Sequence, residues 1–461
     1  MRYIPSTGSR FVLQVPEDKN SYINVKNLDA RGVSTIFEGN ISNGVVSGSE
    51  NQLTINEIRD PDGLTFDQYR DVLSQHIELQ VFAYRNVATG SSSDAPIIGV
   101  SSYTLEGVDF SSETTGTNTT TGSLKYYIFG YNLETGQLPN AVVVIGDAPE
   151  YTGVLDPSRW NEDQYVDIRF TRNDQNIVPI IYRVWKGNVE FLGMIGNNKI
   201  GTTGSLSFKD FGNRQIPSWN QDEGAWTPSF FDGVFQVVGG VPTQRKKIIG
   251  KEHLKIRPIS ENSAPSYIIC ETVSGGNLRN GSAYQIGDAV RFVIDDTRPI
   301  REALEMAATG NIKEIFFPTG TYYLRDTSSV NTSQRNYSNV SFRGVGEGSV
   351  LKRVPSHRTL SVDSGLLNFT GTTSNPISGL RFRGIVFDGN KSDTASVSTA
   401  GGGYEENKYI AETLLSVKYG NDIAITECRF IDAAGPGFHS EYSTSVLLIQ
   451  NIFSRLGRSY E

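Results

Sequence analysis

Four carboxylates, Asp388, Glu427, Asp432 and Glu441, lie at outward or turn positions of a repetitive C-terminal stretch. Two carboxyl groups on opposite sides of a glycosidic bond can serve as general acid and as base or nucleophile, provided their surroundings push their pKa values apart. Arg429 and Lys418 are the cations placed to neutralise a uronate if the bond is broken by elimination instead. The same residues have plainer uses. Aspartate at a strand end bonds local backbone, as Asp388 and Asp432 are positioned to do, and Glu427 occupies an exposed position stacked between Gly384 and Gln450 of neighbouring repeats. Turn and surface roles therefore stand beside the catalytic one for all four.

Other chemical motifs dissolve on inspection. Asp210-Phe211-Gly212 has the letters of a kinase metal-binding tripeptide, but no phosphate loop, paired lysine or catalytic-loop motif accompanies it, which leaves a strand end. Gly344-Val345-Gly346-Glu347-Gly348 follows a strand and precedes Val350-Leu351, with no helix to lend a positive N-terminus, so it predicts a tight turn. His76, His253, His357 and His439 fall in no metal-ligand spacing. Neither metal nor organic cofactor is expected. Cys428, at an inward repeat position, is expected as a buried thiol, with a disulfide to Cys270 the open alternative.

The elements that must position the carboxylates announce themselves by repetition. Leu380, Phe382, Ile385 and Phe387 occupy offsets 0, 2, 5 and 7, as do Ile423, Ile425, Cys428 and Phe430, and then Val446, Leu448, Asn451 and Phe453. Val340, Phe342 and Val345 form a partial copy. Starts at 340, 380, 423 and 446 fit rungs of roughly 20 residues, with some intervals spanning two and some loops inserted. These positions are expected to face inward, with Asn451 bonding its neighbours along the stack. Upstream, Asp295-Asp296-Thr297 precedes an amphipathic helix with Ile300, Leu304, Ala307 and Ala308 on one face, Thr297 as its cap and both aspartates near its positive end. Such a helix can close a solenoid whose first rung would otherwise present an uncovered apolar layer. A β-sandwich with similar alternation leaves that helix unexplained. The last residues lie inside a repeat, which predicts either a continuation beyond Glu461 or a covering subunit.

The Asp-Asp-Thr, amphipathic helix and Phe317-Pro318-Thr319-Gly320-Thr321-Tyr322 series resembles the opening segment of the pectate-lyase-like right-handed parallel β-helix superfamily, in the branch found in phage tailspikes and polysaccharide-acting enzymes. The match covers roughly 285–461. It implies an all-β fold in which N-terminal β-sandwich-like modules precede a β-helix entered through a capping α-helix. It also implies a homotrimeric tailspike or tail fibre, bound to tail or baseplate proteins through its N-terminal region and directed at host surface polysaccharide. A glycan depolymerase is the alternative, and a bacterial surface adhesin a more distant one. Modest aromatic exposure along the rungs favours the attachment role.

The rest of the chain divides by punctuation. Residues 1–123 form a β-rich region with one helix from Thr65, carrying Phe66, Tyr69, Val72, Leu73 and His76 on one face. Residues 124–240 suggest sandwich-like modules, in which Ile177 to Trp185 pairs with Val189 to Leu192, and Trp185, Trp219, Trp226, Phe230 and Phe231 supply core or subunit contacts. Residues 241–284 are punctuated by Pro242, Pro258 and Pro265, suggesting a linker before the segment 285–461. A hydrophobic content of 37% across 461 residues supports globular cores. A net charge of −8 argues against a nucleic-acid surface, and the basic run around Arg245, Lys246 and Lys247 alternates with apolar residues as a strand does. No apolar run is long enough to span a bilayer, and Met1-Arg2-Tyr3-Ile4-Pro5 lacks a signal-peptide core. Synthesis in the host cytoplasm and assembly into a virion tail are the expectation.

Overall fold

A computed structural model describes residues 2–4, 10–12, 21–43, 51–73, 77–87, 98–106, 121–132, 135–138, 143–144, 151–160, 165–172, 177–196, 204–210, 212, 233–257, 267–325, 337–355, 365–390, 398–400, 413–433, 435–456 and 459–460. Strands dominate, in several sheets. Among the described residues no helix is long and apolar enough to cross a membrane.

Alternation of apolar and polar residues builds a closed antiparallel barrel from Phe37–Asn43, Gln52–Arg59, Glu78–Asn86, Lys246–Ile256, Tyr267–Thr272 and Ala289–Asp295. Its interior is apolar, with Phe37, Ile55, Leu79, Leu254, Ile268 and Phe292 among the buried side chains. A short helix, Phe66–Tyr69, joins this core through Phe66, and Thr65 and Gln68 close its first turn as a capping box. His76, expected on the same helix, lies outside the described residues. The region 241–284, expected as a linker, thus contributes two barrel strands. The basic run falls on one of them, with Ile249, Leu254 and Ile256 in the barrel core and Ile248, across a bulge, packed in a second core with Phe82, Tyr84 and Phe129. Barrel closure pairs Lys246 with Asn86 and Lys255 with Glu78 across the intervening chain.

That intervening chain forms two antiparallel sheets. One contains Thr121–Asn132, Ile177–Trp185 and Asn188–Gly196, the other Ile98–Glu106, Tyr165–Arg172 and Gly204–Asp210. The Ile177–Trp185 hairpin turns through Lys186 and Gly187, both with positive φ, the conformation a tight two-residue hairpin requires. Trp185 is buried; Trp219, Trp226, Phe230 and Phe231 lie outside the described residues. Asp210 ends its strand, where it accepts from Arg183 Nη1 at 2.8 Å and Tyr126 Oη at 2.6 Å.

From Glu314 onward the chain passes repeatedly through three parallel sheets. The first stacks Tyr22–Asn24, Glu314–Phe316, Ser341–Arg343, Arg381–Arg383, Gly420–Thr426 and Thr444–Ile449. The second stacks Gly320–Leu324, Ser349–Arg353, Val386–Asp388, Arg429–Ala433 and Ile452–Leu456. The third stacks Leu367–Thr370, Leu415–Lys418 and Phe438–Glu441. Phe342, Phe382 and Ile425 are direct neighbours, so the long intervals from 340 to 380 and from 380 to 423 are single rungs with inserted chain rather than pairs of rungs.

The template offsets have a backbone cause. Asn339, Gly379, Asp422 and Ser445, each immediately before its repeat, all have positive φ, as do Gly384, Glu427 and Gln450 at offset 4. A left-handed residue between two short strands adds one position to the alternation, which is why inward residues fall at 2 and 5 rather than 2 and 4. Leu380, Phe382, Ile385, Phe387, Ile423, Ile425, Cys428 and Phe430 are all buried. Phe387, Phe430 and Phe453 stack with centroids 4.9 Å apart. Asn451 bonds along the stack, accepting from Cys428 N at 2.9 Å and donating to Ile425 O at 2.8 Å. Val345 departs from the pattern and is exposed, because a turn intervenes at Gly346–Gly348. Val446, Leu448 and Phe453 are 37–46% exposed.

The helix Thr297–Ala308 covers the opposite end, burying Ile300, Ala303, Leu304 and Ala307 against the stack. Its cap residue is Asp296 rather than Thr297, and the two aspartates divide their work. Asp295 Oδ1 accepts from Thr297 N at 2.9 Å, serving the helix end, while its Oδ2 meets Arg325 Nε at 2.7 Å. Asp296 turns away and accepts from Arg31 N at 2.6 Å and Gly32 N at 3.1 Å. Residues 21–32, expected in the N-terminal region, therefore belong to the closed end of the stack.

Candidate functional site

The outward side chains of the second parallel sheet form two columns across successive rungs. Register aligns Thr321, Val350, Val386 and Arg429 in one, and Tyr323, Lys352, Asp388 and Ile431 in the other. Together with Ser34 and Glu347 they line a groove of about 450 Å³. Glu347 reaches it from the Gly346–Gly348 turn and pairs with Arg429. Lys352 Nζ lies 3.1 Å from Asp388 Oδ2 on the next rung.

Asp388 is the one of the four candidate carboxylates inside the groove, where Arg429 also lies. It is 7% exposed, and its Oδ1 accepts from Asn390 N at 2.7 Å. Burial lifts its carboxyl above the ordinary aspartate range; the Lys352 ammonium opposes that lift and nearby Asp432 adds to it. An upward shift is the direction a proton donor to a leaving oxygen requires, while the Lys352 ion pair favours the ionised form.

The structure does not gather the other three around it. Glu427 sits at the left-handed corner between the first two sheets, where Arg383 grips it through bonds of 2.9 and 3.2 Å. Asp432 is held by Arg455 of the following rung, both bonds being 2.5 Å. Glu441 is on the third sheet, 2.8 Å from Lys418, so Lys418 stands away from the groove while Arg429 lines it. Each of these acids bridges one rung to another, a structural use that partial exposure makes individually weak.

No family model matches this chain, and no curated protein matches it. Among solved structures it is similar to a putative glycosyl hydrolase from Parabacteroides merdae, at 19% identity over 35% of this chain and 68% of that one, with a TM-score of 0.25. It is also similar to the catalytic unit of a thermostable GH87 alpha-1,3-glucanase from Streptomyces thermodiastaticus, at 9% identity over 88% of this chain and 51% of that one, with a TM-score of 0.20. At these TM-scores neither likeness bears on fold or activity.

Glu347 and Lys352 are the groove residues that sequence reasoning passed over. Glu347 lies in the glycine-rich segment that the sequence predicts as a tight turn rather than a phosphate cradle, and the structure has a turn there. Its signal was positional, since a turn directly before the strand Ser349–Arg353 overhangs that strand's outward face. Lys352 is two residues from Val350 and so shares its face.

Proposed function

We propose that this chain is a spike or fibre protein of a phage tail. In this reading the three parallel sheets form a right-handed pectate-lyase-like β-helix, the hand that parallel crossovers overwhelmingly adopt. Its N-terminal region attaches to the tail or baseplate, three copies associate, and the β-helix presents its groove to a glycan of the host surface. The observation that carries the reading is the groove itself, a trough crossing four consecutive rungs, where an extended polymer can lie across the strands and contact each in turn. Three parallel copies would multiply a modest site affinity through avidity.

A second reading, a glycan depolymerase, is favoured by one particular feature: Asp388 is buried within the groove with its carboxyl lifted by that burial, and Glu347 stands at the groove's other column. Asp388 would protonate the leaving oxygen and Glu347 would act on the opposite side of the bond. The test incubates the full-length protein with host surface polysaccharide and follows binding, reducing ends and the absorbance of unsaturated uronates. Binding without release establishes an attachment spike. Release that Asp388→Asn lowers by about 100-fold or more, with binding retained, establishes the depolymerase. Absence of both refutes the two readings together.

A further inference from the structure

We infer that the groove takes an uncharged stretch of glycan rather than a polyanion. The inference rests on the groove being a glycan site and adds the class of sugar it accepts. Among the described residues the two cations lining the groove are already matched: Lys352 by Asp388 at 3.1 Å, and Arg429 by Glu347. An acidic sugar would have to displace a carboxylate and then sit beside it, and Asp388, being buried, cannot move off into solvent. Beside the two ion pairs the groove is lined by Val350, Val386 and Ile431, with Thr321 and Tyr323 on the adjoining rung, a largely apolar surface suited to the C–H face of a pyranose ring, while the flanking charges offer hydrogen bonds to hydroxyls.

Matching extends beyond the groove. Arg343 pairs with Glu314 at 2.8 Å, Arg381 with Asp422 at 2.6 Å, Arg383 with Glu427 at 2.9 Å, Lys418 with Glu441 at 2.8 Å and Arg455 with Asp432 at 2.5 Å. These pairs run from rung to rung, so a polyanion laid along the stack meets a carboxylate beside each of these cations. The net charge of −8 repels it before contact.

The experiment applies the full-length protein to an array of bacterial surface polysaccharides, sorted into those without charge and those bearing uronate, phosphate or sulfate. Val350→Trp and, independently, Thr321→Trp fill the groove from two rungs. Retention of neutral polysaccharides about 10-fold above acidic ones, changing less than about twofold on raising salt and lost in both variants, is the expected result. Glu347→Gln should release Arg429 and raise retention of acidic polysaccharides about 5-fold, in a manner that salt reverses. Preferential retention of acidic polysaccharides that the tryptophan variants abolish overturns the neutral assignment and leaves the groove as the glycan site. Retention untouched by either variant, or none at all, overturns the groove and the assignment with it.

Discussion

Asp296 offers the sharpest test of how the barrel is joined to the rung stack. The barrel strand Ala289–Asp295 runs straight into the helix Thr297–Ala308, and Asp296 between them is only 1% exposed. Its two oxygens accept backbone N–H groups of Arg31 and Gly32, which favours the ionised form, yet burial dominates and pushes its pKa up to about 7. In the unfolded chain the same carboxyl titrates near ~3.9. The folded state therefore holds a proton over a range in which the unfolded state has lost it, and stability must fall as pH rises through that range. The stabilisation is complete below about pH 4 and gone above about pH 7. Three pH units at ~1.4 kcal/mol each set its full size at about 4 kcal/mol. Asp296→Asn cannot titrate. Its amide nitrogen faces one of the two N–H donors, a cost of roughly 1–3 kcal/mol that does not vary with pH. Denaturant unfolding of both proteins between about pH 4 and pH 8 should show the wild-type chain ahead in acid, with its advantage shrinking by about 4 kcal/mol and reversing near neutrality. A difference that stays constant across the range would mean that the Arg31 and Gly32 donors outweigh burial and that Asp296 is an ordinary carboxylate.

Two further predictions probe packing in the stack and in the barrel. A Cβ on Gly344 would stand 2.2 Å from Gly384 O, whereas one on Gly384 meets nothing closer than 3.2 Å and faces only the strain of φ +61°. Gly344→Ala should therefore cost more than about 2 kcal/mol and Gly384→Ala about 1–2 kcal/mol, read as denaturant midpoints; equal costs would sink the close contact. Cys270 and Cys428 are free and buried; burial pushes the Cys428 thiol up to about 11 and that of Cys270 higher still. A thiol reagent at about pH 8 should label both only at the rate of unfolding, and rapid labelling of the folded chain would contradict their placement.

The rung core was legible because its alternation is local: each repeat carries its own inward residues, and Phe382, Phe387 and Phe430 are buried where periodicity puts them. The barrel was not, because closure is a non-local fact. Each strand reads as plain alternation, and nothing near Lys246 announces Asn86 as its neighbour across the inserted sheets. The corners were half-legible: glycine marks Gly379 and Gly384, but Asp422, Glu427, Ser445 and Gln450 take the same left-handed conformation without the residue that signals it.

The difference between Asp388 and Asp432 turns on a single residue. Both follow a buried phenylalanine at a strand end and looked equivalent, yet Asp388 comes one residue after Phe387 and Asp432 two after Phe430. Register accordingly places Asp388 beside Ile431 rather than beside Asp432. In a strand one step reverses the face, so Asp388 projects into the outward column with Lys352, while the position of Asp432 would point into the core. Asp432 escapes burial only through its own positive φ of 51°, matched by Arg455 at 52° on the next rung, and the two meet in an ion pair there. Counting from the repeat start, rather than from the strand end, separates a carboxyl that faces the groove from one that fastens two rungs.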